Sequence, residues 1–216
     1  MTAGITVVND WGTVQVDENW ATMSLRHKLS VAVLTLTVNS GRQGYDGSVT
    51  FAASSPMLFW KASVPTAIRN MVSNGDGTWT LTLRANAQAS VVLYVFDTPE
   101  WASQNYGIEV FNASGVKVFG DQLRPLKIAA IVPVSAMPFV WDGLTPGNYA
   151  VNVGGGVRYE SYAADRIRAA CWTAGAMDRP AGGQLDWTVI ISGAPFEVAS
   201  VQRSPQFLII ADVTGL

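Results

Sequence analysis

Gly4-Ile5-Thr6-Val7-Val8-Asn9-Asp10-Trp11-Gly12-Thr13-Val14-Gln15-Val16-Asp17 decides the fold, because the chain carries a second version of it. That version is Gly107-Ile108-Glu109-Val110-Phe111-Asn112-Ala113-Ser114-Gly115-Val116-Lys117-Val118-Phe119-Gly120-Asp121. Gly4, Ile5, Val7, Asn9 and Gly12 meet Gly107, Ile108, Val110, Asn112 and Gly115 at one offset, 4 to 107, of 103 residues. Held at that offset, Met23, Leu25 and Val31 meet Leu126, Ile128 and Val134. Each version has apolar residues at alternate positions, then Asn-x-x-Gly, then a second extended run. Asn and Gly tolerate positive φ at a reversal, and period-2 runs make half-buried strands, so each version predicts a β-hairpin.

Outward from the first hairpin, Val31 to Val38 is β-branched and reads as one strand, broken by Ser40-Gly41-Arg42-Gln43-Gly44 and resumed from Ser48 to Ala52. Pro56 and Pro65 bracket Leu58-Phe59-Trp60, which predicts a short or edge strand. Asn74-Gly75-Asp76-Gly77 is a strong turn. It feeds Thr78-Trp79-Thr80-Leu81-Thr82-Leu83, with Trp79, Leu81 and Leu83 on one face. Val91 to Phe96 is apolar throughout, as a central strand is. Arg158 to Trp172 fits either a helical face through Tyr159, Tyr162, Ala163, Ile167 and Ala170 or a strand; its β surroundings favour strand.

The second half closes as the first does. Asp186-Trp187-Thr188-Val189-Ile190-Ile191 echoes the Trp79 strand, and Phe207-Leu208-Ile209-Ile210-Ala211-Asp212 echoes Val92-Leu93-Tyr94-Val95-Phe96-Asp97. The offset drifts to 108 and then 115, as insertions in surface loops produce. The expectation is an all-β chain of two similar β-sandwich lobes, 1–103 and 104–216, arising from an internal duplication. Short β motifs share a small vocabulary, so chance similarity is the competing account.

Composition agrees with a folded, turn-rich β protein. Of 216 residues 49% are hydrophobic and only 14% charged, which excludes disorder, and twenty Gly and ten Pro punctuate short segments. A net charge of −2 with no basic block gives no reason to expect nucleic acid. The longest apolar run, Ile128 to Trp141, contains Pro133 and Pro138 and is too short for a membrane span. Met1-Thr2-Ala3-Gly4 runs straight into the strand pattern, so no secretory signal is expected. A single cysteine, Cys171, forms no internal disulfide, and synthesis in a reducing cytoplasm follows.

Candidate chemistry is sparse. His27, the sole histidine, lies between Arg26 and Lys28 with no orienting carboxylate in view, and no Gly-x-Ser-x-Gly elbow occurs. Cys171 sits in Ala169-Ala170-Cys171-Trp172, the setting of a buried structural thiol. One His and one Cys make no zinc tetrad, and Asn74–Gly77 lacks the further acidic ligands of a calcium loop. Gly154-Gly155-Gly156 lacks the third glycine of a phosphate-binding fingerprint, where Tyr159 stands, so no metal and no cofactor is expected. Asp97 with Glu100, next to Trp101, is the best-placed carboxylate pair for glycoside hydrolysis, although Asp-Thr-Pro-Glu is also an ordinary turn. Trp11, Trp101 and Tyr106 stand at loops, where aromatics contact sugars or partner proteins, or fold back over the sandwich ends.

Gly4-Ile5-x-Val7-x-Asn9 with Val14-x-Val16-Asp17, and Tyr106-Gly107-Ile108-Glu109-Val110-Phe111-Asn112-Ala113-Ser114-Gly115 with Arg124-Pro125-Leu126, resemble small virion proteins of the distal tail of long-tailed bacteriophages infecting Gram-negative hosts. The resemblance covers the two hairpins, and the remainder only in style. It implies a β-sandwich baseplate or tail-tip protein without enzymatic activity, made in the host cytoplasm and carried in the virion. Its implied partners are other tail-tip proteins, further copies of itself in a trimer or ring, and a bacterial surface receptor. Neither membrane insertion nor nucleic acid enters that picture. Rival readings are a stand-alone lectin-like module stacking Trp11 or Trp101 on a glycan, and a hydrolase using Asp97 and Glu100.

Overall fold

Alternating β-branched and aromatic residues bounded by Gly, Pro and Asn build nothing but strands among the described residues. The computed structural model describes residues 6–8, 14–17, 22–39, 42–100, 107–134, 139–141, 148–154, 159–162, 166–174, 183–192 and 207–216. For those of them within 6–17, 37–43, 139, 141 and 154–192 the description is of the backbone. In the first half the strands are β1 (Thr6–Val8), β2 (Val14–Asp17), β3 (Ser24–Val33), β4 (Thr35–Asn39), β5 (Arg42–Ala52), β6 (Met57–Lys61), β7 (Thr66–Ser73), β8 (Thr78–Ala85) and β9 (Ala89–Asp97). In the second they are β10 (Glu109–Phe111), β11 (Lys117–Gly120), β12 (Ile128–Pro133), β13 (Phe139–Trp141), β14 (Tyr149–Gly154), β15 (Tyr159–Tyr162), β16 (Arg166–Ala174), β17 (Gly183–Ser192) and β18 (Phe207–Asp212).

Two sheets face each other. One runs β12-β18-β14-β6-β9-β3; the other runs β13-β17-β16-β7-β8-β5-β4, with β15 beside β16. A further pairing of Ser192 with Gln43 joins β17 to β5. Each sheet takes strands from both halves of the chain. β6 meets β14 at Trp60↔Val151, and β7 meets β16 at Thr66↔Trp172, both antiparallel. The order β3-β9-β6 on one side of the first seam is matched by β12-β18-β14 on the other. In the second sheet β5-β8-β7 is matched in the same way by β13-β17-β16. Residues 103 and 104 themselves lie outside the described residues.

The match extends to register. In the first hairpin Thr6, Val7 and Val8 pair with Asp17, Val16 and Val14, with an irregularity between Val7 and Val8. In the second, Glu109, Val110 and Phe111 pair with Gly120, Phe119 and Lys117, with the irregularity between Val110 and Phe111. Every one of these positions is displaced by the same 103 residues. The β3–β9 ladder slips between Leu25 and His27, and the β12–β18 ladder slips between Ile128 and Ala130, again at that offset. A bulge adds twist and bends a strand, and here it recurs at positions 103 residues apart.

The main core lies between the sheets. Leu58, Trp60, Leu93, Val95, Val151, Val153, Leu208 and Ile210 from one sheet pack on Phe51, Leu81, Leu83 and Ala85 of the other. The outer face of the first sheet is also buried, by a cluster of Phe59, Tyr94, Phe96, Ala150, Ala211 and Val213 against which Met23, Leu126 and Leu216 lie. Burial on both faces explains the unbroken apolar run of β9, which lies between β6 and β3 as a central strand. Trp79, Leu81 and Leu83 take the inward face of β8, and Trp79 Nε1 donates to the Ala53 carbonyl at 3.0 Å. The opposite face pairs hydroxyls across to β5, Ser48 with Thr82 and Thr50 with Thr80.

Two local expectations need correction, and a third holds in length but not in placement. The short strand between Pro56 and Pro65 is central, because both prolines fall outside Met57–Lys61 and leave its N–H groups free for the ladder. Val31 to Val38 is two strands: the chain leaves the first sheet after Val33 and enters the second at Thr35, with Leu34 exposed at the corner. Arg42-Gln43-Gly44 begins β5 instead of interrupting it. Further along β5, Gly47 leaves room for the Ala32 carbonyl of β3 to press against its backbone where a side chain would stand. Beside it, Asp46 binds Arg84 through two hydrogen bonds, a buried pair whose charges satisfy each other, and also accepts from the exposed Arg69 at 2.8 Å. The stretch from Arg158 resolves as strands β15 and β16.

Candidate functional site

The second half's connection lies along the start of β3. Leu126 N donates to the Met23 carbonyl and Leu25 N to the Arg124 carbonyl, each at 2.9 Å, and Ser24 bridges to Pro125. This short extra ladder brings the Arg124-Pro125-Leu126 segment beside Ser24-Leu25-Arg26-His27-Lys28. Between them opens a cleft of about 570 Å³ over Leu25 and Leu123. Its polar wall is Ser24, Gln122, the cations Arg26, Lys28 and Arg124, and the carboxylate of Glu100. A smaller hollow of about 220 Å³ lies on the far side of Arg124, against Lys127, Asp212 and Thr214.

Arg26 organises the larger cleft. Its Nη2 pairs with Glu100 Oε2 at 2.9 Å and its Nη1 donates to the Thr98 carbonyl at 3.1 Å, while its Nε is buried without a partner. The Arg26 side chain is 14% exposed and that of Glu100 75%. Lys28 lies 5.7 Å from the centre of the Tyr94 ring and donates to the Leu216 carbonyl at 2.6 Å. The Arg124 side chain is exposed and pairs with no carboxylate among the described residues.

Asp97 and Glu100 are brought to the same arginine, but they do different work. Asp97 is fully buried at the end of β9. Its carboxylate accepts the backbone N–H of Ser54 at 2.5 Å, Ser55 at 3.0 Å and Thr98 at 2.7 Å. Burial by itself would raise its pKa; the three N–H donors and the Arg26 charge outweigh that and hold it below 3.8. Asp97 thus fastens the loop after β5 to the end of β9. Asp212, at the same place on β18, is held low by the Thr214 hydroxyl and backbone N–H, with burial opposing and Lys127 assisting. Of the pair, Asp97 is buried on backbone donors, while Glu100 stands exposed in an ion pair with Arg26.

His27 Nε2 lies 2.8 Å from the Ala52 carbonyl, so that nitrogen carries the proton, and the ring tilts against Phe51. Cys171 belongs to the other sheet, where it pairs with Asp186 of β17. Asn74–Gly77 is a hairpin turn with Gly75 and Gly77 at φ of 80° and 83° and with Asp76 accepting from Thr78. Among the described residues no group of three His, Cys, Asp or Glu could hold a metal ion, and no helix is long and apolar enough to cross a membrane. Gly154 ends β14, while Gly155 and Gly156 lie outside the described residues. Trp11, Trp101 and Tyr106 also lie outside them.

Reading the residues in order missed the cationic cleft, since Arg26 and Arg124 are remote in sequence and meet only through the Met23–Leu126 ladder. The polar run Ser24 to Lys28 and the Arg124-Pro125 pair were its available signals. Comparison of the chain with family models, with curated proteins and with solved structures finds no match.

Proposed function

We propose that the chain is a non-enzymatic structural component of a bacteriophage tail tip, assembled with copies of itself and other tail proteins, and contributing to receptor attachment or fibre assembly. The observation that carries this reading is the surface of the segment bearing the resemblance. Ile108, Phe111 and Val116 of the second hairpin are 64%, 51% and 57% exposed, and Ile128 and Ile131 of the following edge strand 42% and 64%. Large apolar side chains on successive elements, in a chain with 14% charged residues, suit packing against other subunits. The commitment of Asp97 to three backbone donors favours contact over catalysis. The recurrence of hairpin register, strand order and bulge position supports an origin by internal duplication.

Immunogold labelling of purified virions, with antibody raised against the chain, tests the proposal. Label at the distal end of the tail is expected. Virions that carry no label, and no copy of the chain by mass spectrometry, reject it.

A further inference from the structure

We propose that the cleft between Ser24–Lys28 and residues 122–124 binds an anionic group, the carboxylate or phosphate of a sugar, which displaces Glu100 from Arg26. The chain is acidic overall at −2, yet the lining of this cleft holds three cations and one carboxylate, with Asp97 buried behind Arg26 and occupied by backbone donors. At about 570 Å³ it falls in the size range of small-ligand sites, about 300–1,000 Å³. Arg124 contributes a guanidinium that no carboxylate among the described residues neutralises, and Leu25 and Leu123 supply an apolar floor for the body of a ligand.

The geometry of Arg26 selects the ligand chemistry. A guanidinium presents Nε and one Nη side by side, the fork that carboxylate and phosphate oxygens bridge. In Arg26 Glu100 engages Nη2 and leaves Nε, the other prong, without a partner. A three-quarters exposed carboxylate is a weakly held occupant, because surface ion pairs contribute only about 0–1 kcal/mol. A ligand oxygen pair that fills both prongs, with Arg124 and Lys28 alongside, makes the hydrogen bond that Glu100 leaves unmade. Nothing in this chemistry depends on where the protein is assembled, so failure of anion binding and absence from the virion are separate outcomes.

Calorimetric and amide-NMR titrations of the full chain with inorganic phosphate, glucuronate and glucose test the site. Saturable binding of phosphate or glucuronate is expected, with amide shifts at Ser24–Lys28 and 122–124, and none with glucose. Arg124→Gln keeps the backbone contact to Leu25 and is expected to weaken binding about tenfold or more. Glu100→Gln removes the internal competitor and is expected to tighten binding about two- to fivefold. Circular dichroism on both variants separates loss of the site from loss of fold. Absence of saturable binding, equal binding of glucose, or a Glu100→Gln variant that binds more weakly overturns the proposal.

Discussion

Asp97 is where a single side chain holds two distant parts of the chain together. Its carboxylate takes three backbone N–H groups, two of them from Ser54 and Ser55 more than forty residues away. A carboxyl whose folded pKa lies below 3.8 contributes stability that is fully present above that value and is lost as pH falls through the folded one. Asp97→Asn is therefore expected to lower stability at about pH 7 by about 1–3 kcal/mol, because an amide cannot accept on both sides. It is also expected to flatten the loss of stability below pH 3.8, since the variant has less to lose there. Urea midpoints measured at neutral pH and down the acid limb check both; an acid limb as steep as that of the parent contradicts the role. The residues pointed toward a turn at Asp97-Thr98-Pro99-Glu100; Asp97 instead closes β9, and the chain bends at Thr98. What they could not display was the loop that the carboxylate fastens, because that pairing depends on β5 and β9 arriving together.

At the scale of elements, hairpins and strands were legible wherever period 2 or a Gly-rich turn dominates. The Asn112-Ala113-Ser114-Gly115 reversal forms with Gly115 at φ of 74° and with Asn112 Oδ1 accepting from Ser114 and Val116. The corner at Leu34 was not legible, since Val31 to Val38 keeps one uninterrupted strand pattern across a change of sheet. Central placement of β6 was hidden for a related reason: flanking prolines mark strand ends, not strand neighbours. The corner also makes a testable demand on Gly47, whose substitution would put a Cβ inside contact distance of the Ala32 backbone. Gly47→Ala is expected to destabilise by about 1–3 kcal/mol, as overpacking against an element that cannot yield does. Gly75→Ala, with open space but a φ of 80°, should cost about 1–2 kcal/mol by backbone strain alone. Thermal melts check the losses, and amide NMR distinguishes the mechanisms: only Gly47→Ala should shift the resonances of β3.

For the whole molecule, the two halves of the chain share both sheets, joining at β6–β14 and β7–β16. Similar segments were visible in the residues at offsets of 103, 108 and 115, but the seams were not, because pairing of Trp60 with Val151 leaves no local trace. A fragment of residues 1–103 would carry β6 and β7 with open ladder edges and Trp60 stripped of Val151. It is expected to associate or to melt without cooperativity, since bare edges and apolar surface favour pairing with another chain. Light scattering and thermal circular dichroism decide this, and a cooperatively melting monomer would show that the first half stands alone. The central claim is that this surface works through contacts with other subunits. Sedimentation equilibrium of the intact chain over a range of concentrations tests it most directly: the account predicts three or more copies of the 23.1 kDa chain, and a 23.1 kDa monomer at every concentration would contradict it.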